Sequence, residues 1–445
     1  MRDALLMAVI FASLLATLRY PFVGVIVWAW FSLMTPHQLA YGVYGVPLNM
    51  VIAGVTIAAL AAHGDFQRAF AHHRIDKLTL LLAAFAGWLA ISQAFSLDPA
   101  NSAVYFDRFF KTLIFAIVCA LAATTRLRVH ALILILALGI GFFAAKGALF
   151  TLATLGRYHV QGIELSVLED NNHLGIAMAS VLPMMLYLRG AIAKAWVKGA
   201  FTALAVLTVI AILGTQSRGA FICLVVFAGY FFMQSRHRGA YVAVALLISI
   251  PALTFMPASW HDRMATISDA GHDESFMGRV HAWQINWEFA RANPITGAGL
   301  RNPYLPELAE KVDKVLAKDA KAAHSIYFEV LGGAGFTGLA IYLALLATAY
   351  QRARRLARNG GPVWVRRFGN YTQMALAVFF VGGASTSMEM WDGYLMVIAM
   401  IAAISRIAET QPQPQPHAAT RAPRPLRAKG LRTKGLKTSE PGFSG

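Results

Sequence analysis

Charge is what this 445-residue chain has least of. Only 14% of its residues are Asp, Glu, Lys or Arg, while 57% are hydrophobic and the mean hydropathy is +0.55. A soluble protein carries about 25% charged residues. The deficit comes from long, nearly charge-free runs, which excludes large soluble domains. Cysteine is almost missing too. Cys119 and Cys223 each lie inside an apolar run, so no disulfide framework or zinc spacing is available, and both read as packing residues. No phosphate-binding or dinucleotide glycine loop occurs, which argues against nucleotide-driven transport. No paired acidic motif of a metal-dependent sugar-nucleotide enzyme occurs either, and no metal site or cofactor is expected. Acidic residues are few against basic ones, giving a net charge of +17. Nucleic acid is the usual partner for such a chain. Here the cations sit in short loops and one tail, the distribution of membrane orientation signals.

Apolar runs fall at 4–18, 21–34, 47–62, 78–95, 109–125, 131–155, 172–188, 200–213, 219–234, 240–256, 324–350, 371–388 and 394–407. Lipid cannot satisfy open backbone groups, so helices are the default. Arg2 is offset by Asp3 and a second run follows at Pro21, so the first run reads as retained rather than as a signal peptide. The first two runs flank Tyr20-Pro21 and read as one broken helix or a re-entrant pair. The expected architecture is an all-α polytopic membrane protein of about twelve transmembrane helices.

Alternate loops differ sharply in Lys and Arg. The loops 63–77, 126–130, 189–199, 235–239 and 351–370 and the tail after Gln411 are rich in them, whereas 35–46, 96–108, 156–171 and 214–218 hold only Arg108, Arg157 and Arg218. The first set is cytoplasmic by the positive-inside rule. Four segments follow. Residues 1–256 form N-terminal transmembrane helices, and 257–323 an outer, periplasmic loop. Residues 324–410 form C-terminal transmembrane helices, and 411–445 a basic cytoplasmic tail. The tail opens QPQPQP and is expected to be disordered. The outer loop is charge-balanced and predicts two helices. Val280, Trp283, Trp287 and Ala290 make one apolar face over 279–292, and Leu308, Val312, Val315 and Leu316 another over 306–321.

Ionisable groups at membrane depth are expensive and mark functional sites. Arg218, in GTQSRGAF, is either an anion ligand or an arginine reaching the interface. Arg279 opens the first outer helix. Arg301 follows a turn permitted by Gly297 and Gly299, a plausible phosphate site. His324 begins a span where water, loop and membrane meet, and imidazole can act as a base at neutral pH. Lys146 is the single charge inside 131–155 and, if buried, needs a partner or a cavity. Asp170, Asn171, Asn172 and His173 form a polar cluster opening the span at 172, with helix capping the plain alternative. Glu389 and Asp392 flank Trp391 at the last outer turn.

The order of these features resembles the O-antigen ligase and polymerase superfamily. An arginine at an outer helix end (Arg218) precedes a large outer loop with Arg279-x-x-x-Trp283. Asn293-Pro-Ile-Thr-Gly-Ala-Gly299 follows, and then His324 and Gly335-x-x-Gly338-Leu339. The segment Asp170 to Gly175 also resembles that family, and the N-terminal ~110 residues resemble exosortase-associated O-glycosylation ligases. The resemblance implies a GT-C-like glycosyltransferase of the bacterial inner membrane. It implies a donor glycan on undecaprenyl diphosphate, a lipid A-core acceptor and a periplasmic active site. Arg218 and Arg279 would bind the diphosphate. His324 would be the base or would position the acceptor hydroxyl, and Asp392 would be accessory. Arg301, Lys146 and Asp170 are added from their chemistry alone. Transfer to protein and polymerisation of repeat units share the donor and remain open. A lipid-linked glycan transporter, the reading from another class, would show internal repeats, and none is evident.

Overall fold

The computed structural model describes residues 2–40, 42, 45–67, 75–234, 239, 257–265, 274–359 and 361–410. The loop residues Arg68, Arg74, Arg236 and Arg238, the run at 240–256 and the tail 411–445 lie outside them. The described residues are helical, without a strand. The helices are α1 (Arg2–Arg19), α2 (Pro21–Met34), α3 (Leu48–Ala62), α4 (Lys77–Ala94), α5 (Pro99–Ala122), α6 (Arg126–Thr154) and α7 (Asn171–Ala191). They continue with α8 (Ala195–Gly214), α9 (Arg218–Gln234), α10 (Ala258–Ala265), α11 (Glu274–Ala292), α12 (Pro306–Ala309), α13 (Ile326–Asn359), α14 (Val363–Gly383) and α15 (Asp392–Thr410). Five of them, α4, α6, α7, α8 and α13, are long and apolar enough to cross a membrane. The chain is a multi-pass membrane protein on that ground. α7 and α15 are the most enclosed, with nearly continuous buried stretches.

Tyr20 and Pro21 end one helix and start the next. Tyr20 leaves helical geometry (φ −127°, ψ 82°) and Pro21 takes the first helical turn, where its missing N–H costs nothing. α1 and α2 then pack against each other. Asp3 at the start of α1 lies against Gly42, while His63 reaches the Leu18 carbonyl near its end. The two helices therefore run in opposite directions.

The loops sort into two groups that meet only within themselves among the described contacts. At one end, Gln38 reaches the Leu165 carbonyl, Gln216 that of Gly156, and Asn171 that of Thr215. Asn302 ties Ser96 and Asn101 to the 293–323 segment, and Phe221 meets Trp260 of α10. At the other end, Arg128 pairs with Asp65, Arg352 with Asp76 and Glu409, and Arg367 caps Gly190. These groups coincide with the cation-poor and cation-rich loops of the sequence.

Among the described residues, the 257–323 loop differs from its expected form. α11 covers 279–292, but its buried face is Ala282, Ile285, Asn286, Phe289 and Ala290, while Trp287 is 45% exposed. The tryptophans pack sideways instead. Trp283 stacks on Phe328 and donates to the Ala323 carbonyl, and Trp287 meets Phe336 edge-on. The helix expected over 306–321 is only the single turn α12 followed by further turns. Asp313 accepts from the N–H groups of Val315 and Leu316, which starts a new turn and ends the old one. Leu308, Ala309 and Ala317 close with Ile285 and Phe289 into a small core of their own, leaving Val315 exposed.

Gly297 and Gly299 have a packing role. Ala298 and Gly299 donate to the carbonyls of Gly332 and Gly333, and Phe336 donates to Pro294. The 293–299 segment thus replaces the backbone bonds lost where α13 breaks at Gly335 (φ 73°, ψ −177°). A Cβ on Gly297 would stand 2.5 Å from the Gly335 nitrogen, at φ 71°. Gly297→Ala is expected to lower stability by at least ~1–2 kcal/mol from backbone strain alone. Gly54→Ala, inside α3 with nothing within 4 Å, should be neutral or stabilising by up to about 1 kcal/mol. Thermal unfolding in detergent compares the two.

Candidate functional site

Arg301 sits at the end that carries the cation-poor loops. Its backbone is left-handed (φ 62°) and its side chain is 12% exposed. It lies 2.7 Å from the Glu389 carboxylate and 3.4 Å from that of Glu329, between the rings of Tyr105 and Tyr304. Burial alone would weaken its charge, but the two carboxylates outweigh that and hold it protonated. Glu389 is raised above the usual carboxylate range by burial, against the pull of Arg301. Glu329 also accepts from Tyr304, Ser387 and the Ala323 N–H. The last contact fixes the loop entering α13. His324, in that loop, takes a left-handed φ of 46°.

Arg301 is therefore a keystone, its charge shared between two carboxylates. Removing one partner of a buried pair costs ~3–5 kcal/mol because the other charge is left behind. Glu389→Ala should be destabilised by about that much, and pairing it with Arg301→Leu should restore part of the loss. Denaturant titration of the single and double variants in detergent checks this.

Around Arg301 opens a cavity of about 560 Å³ lined by Tyr105, Arg108, Gln161, Glu164, Glu169, Asp170, His173, Arg301, Tyr304 and Ser387, among others. A neighbouring cavity of about 240 Å³ holds Arg108 again, with Asp107, Lys111 and Asp392. A third, of about 200 Å³, holds Lys146 and His159 and shares Gln161 and Gly162 with the first. Asp170 caps α7 by accepting from Asn172 and His173. Burial works to raise its pKa, but the neighbouring His173 and these hydrogen bonds prevail and lower it. His173 hydrogen-bonds the Val167 carbonyl through Nδ1 at 2.8 Å, and its ring centroid lies 6.4 Å from that of His324.

Residues 203–343 match the model of a family described as O-antigen ligase, and residues 1–192 match that of a family of unknown function. The chain carries an O-antigen ligase domain. No curated protein matches the chain. The ligase domain holds Arg218, Arg279, Arg301 and His324. The other wall of the large cavity, from Tyr105 to His173, belongs to the N-terminal match.

The expected site residues are thus only partly assembled around one space. Arg301 and Asp170 line the large cavity. His324 adjoins it through His173, and the charge of Arg279 acts on His324. Arg218 opens α9 from the turn that Asn171 of α7 grips, and the adjacent Gly219 packs on Ser385. Asp392 faces the second cavity, joined to the first by Arg108. Lys146 is exposed on α6 and lines the third cavity. Among the described residues no three metal-ligating side chains cluster. Cys119 and Cys223 are buried, as expected of packing residues.

Two residues were passed over by sequence reasoning. Arg108 is a guanidinium accessible from two cavities, and it was visible as one of three cations in the cation-poor loops. His173 was visible only as a member of the polar cluster at 170–173.

Burial, and then the nearby Arg279 charge, push His324 down to about 4 from 6.5. It is neutral at pH 7. As pH falls from 6.5 towards 4, the unfolded chain takes up a proton that the folded chain refuses, so stability declines through that window. Melting temperature against pH should fall less steeply there in His324→Gln than in wild type.

Proposed function

We propose that the protein ligates a glycan from undecaprenyl diphosphate onto lipid A-core, as an inverting, metal-independent glycosyltransferase of the bacterial inner membrane. In this reading the cation-poor end is periplasmic and the tail 411–445 cytoplasmic. The bundle has about twelve spans and a GT-C-like organisation. The observation that carries the reading is the large polar cavity between the ligase domain and the N-terminal region, with arginines and two imidazoles at its edge.

The chemistry needs few parts. The anomeric C–O bond to the diphosphate breaks, and the leaving group departs with two negative charges per phosphate pair or more. Arginine neutralises such a group by bidentate hydrogen bonding. Arg218 and Arg279 are assigned that role, with Asp392 accessory. The acceptor hydroxyl attacks the opposite face of the anomeric carbon, which inverts it. His324, neutral at physiological pH, holds that hydroxyl or takes its proton. Tyr105 and Tyr304 offer the aromatic and hydroxyl surface suited to a sugar ring. Arg301 and Asp170 shape the cavity wall. Lys146, on the outer surface of α6, is assigned no part in the chemistry.

The test uses purified protein, undecaprenyl-diphosphate-linked glycan and lipid A-core, with products separated by gel. Wild type should yield glycan-bearing lipid A-core, with EDTA present or absent. His324→Ala and Arg279→Ala should each lose about 100-fold or more, and Lys146→Ala should stay within about threefold of wild type. Full activity of His324→Ala together with loss of activity in EDTA would contradict the mechanism. Product on a protein or on a growing glycan alone would replace the acceptor and keep the donor.

A further inference from the structure

We infer that the acceptor's proton is taken by Nε2 of His173, with His324 beside it holding the acceptor in place. The inference rests on the ligase reading above and assigns its proton transfer. A carbonyl can only accept, so the Val167 contact fixes the proton of His173 on Nδ1 and leaves the Nε2 lone pair free. That atom is buried and has no hydrogen-bond partner in the protein. His173 lines the large cavity. An unpaired buried acceptor at a cavity wall calls for a donor from a ligand, and an alcohol O–H is the donor this reaction brings.

His324 is less suited to the task. Its Nδ1 is also buried without a hydrogen-bond partner, but His324 is not among the residues lining that cavity. The groups whose charges act on His173 are Asp170 at its own helix start, then Arg301 and Glu329, with His324 beside it. Asp170 is the nearest counter-charge for an imidazolium formed there. In the step, the acceptor O–H bond breaks and its proton passes to Nε2. The oxygen's electron pair forms the new bond to the anomeric carbon. The bond from that carbon to the diphosphate oxygen breaks, and its pair leaves with the diphosphate. The proton then returns from Nε2 to water.

His173→Asn separates this role from a structural one. Its amide N–H can keep the Val167 bond while Nε2 is lost. In the gel assay above, kcat should fall by about 100-fold or more, with the donor KM within about threefold and the melting temperature unchanged. Imidazole added to His173→Gly, which leaves room for it, should restore activity at least about tenfold. A His173→Asn enzyme within about threefold of wild type in kcat overturns the assignment and leaves the ligase reading standing. So does a loss that imidazole does not rescue. Should His173→Asn not fold, His173→Gln is read for the same kcat. Wild type that transfers no glycan to any acceptor defeats the ligase reading first, and this inference with it.

Discussion

A single guanidinium shared between two buried carboxylates governs the cation-poor end of this protein. Arg301 comes from the loop, Glu329 from α13 and Glu389 from the turn before α15. None of the three could be buried alone, because an unpaired charge in a low-dielectric interior is prohibitively costly. Their pairing therefore fixes where the loop lands, and the rest of the site follows. Glu329 holds the backbone that carries His324. Arg301 presents Tyr105 and Tyr304 to the cavity. The glycine-rich crossing at 293–299 delivers Arg301 by docking its own backbone onto the broken helix.

The same arrangement explains how two differently matched regions make one cavity. The ligase domain supplies the loop and the start of α13. The N-terminal region supplies the start of α5 and the 161–173 segment, with the capped end of α7. Asn302 bonds to Ser96 and receives a bond from Asn101 across that boundary, so the two regions are joined by polar contacts at the cavity's rim. Between helices in lipid there is little hydrophobic drive, and small residues and hydrogen bonds set the packing. Gly175 against Ala220 and Gly382 against Ile176 and Cys223 are contacts of that kind.

Much of this was legible in the sequence because lipid imposes simple rules. Apolar runs and the Lys/Arg asymmetry predicted the helices and the two sets of loops, since backbone satisfaction and charge placement act locally along the chain. Arg279 and His324 were singled out through family resemblance, and the electrostatic link between them is a tertiary fact. The packing partners of Arg301 and Gly297 were not foreseen. Their partners, Glu329, Glu389 and Gly335, lie between 28 and 88 positions away, and no local pattern encodes such pairings. The failed helix over 306–321 has a local cause, the competing side chain of Asp313. The rotated face of α11 does not, because its tryptophans are held by Phe328 and Phe336 of α13. His173 escaped notice because a histidine after a capping aspartate looks like capping until a cavity is seen beside it.

In the proposed mechanism the reaction takes place at the cation-poor end, where Arg301 and Tyr304 help to line the large cavity. A structure with undecaprenyl-diphosphate-linked glycan bound tests it most directly. The diphosphate is expected against Arg218 and Arg279, with the first sugar in the cavity facing His173 and His324. A diphosphate seated among the cation-rich loops around Arg128 and Arg352, or beside Lys146 with the large cavity empty, would contradict it.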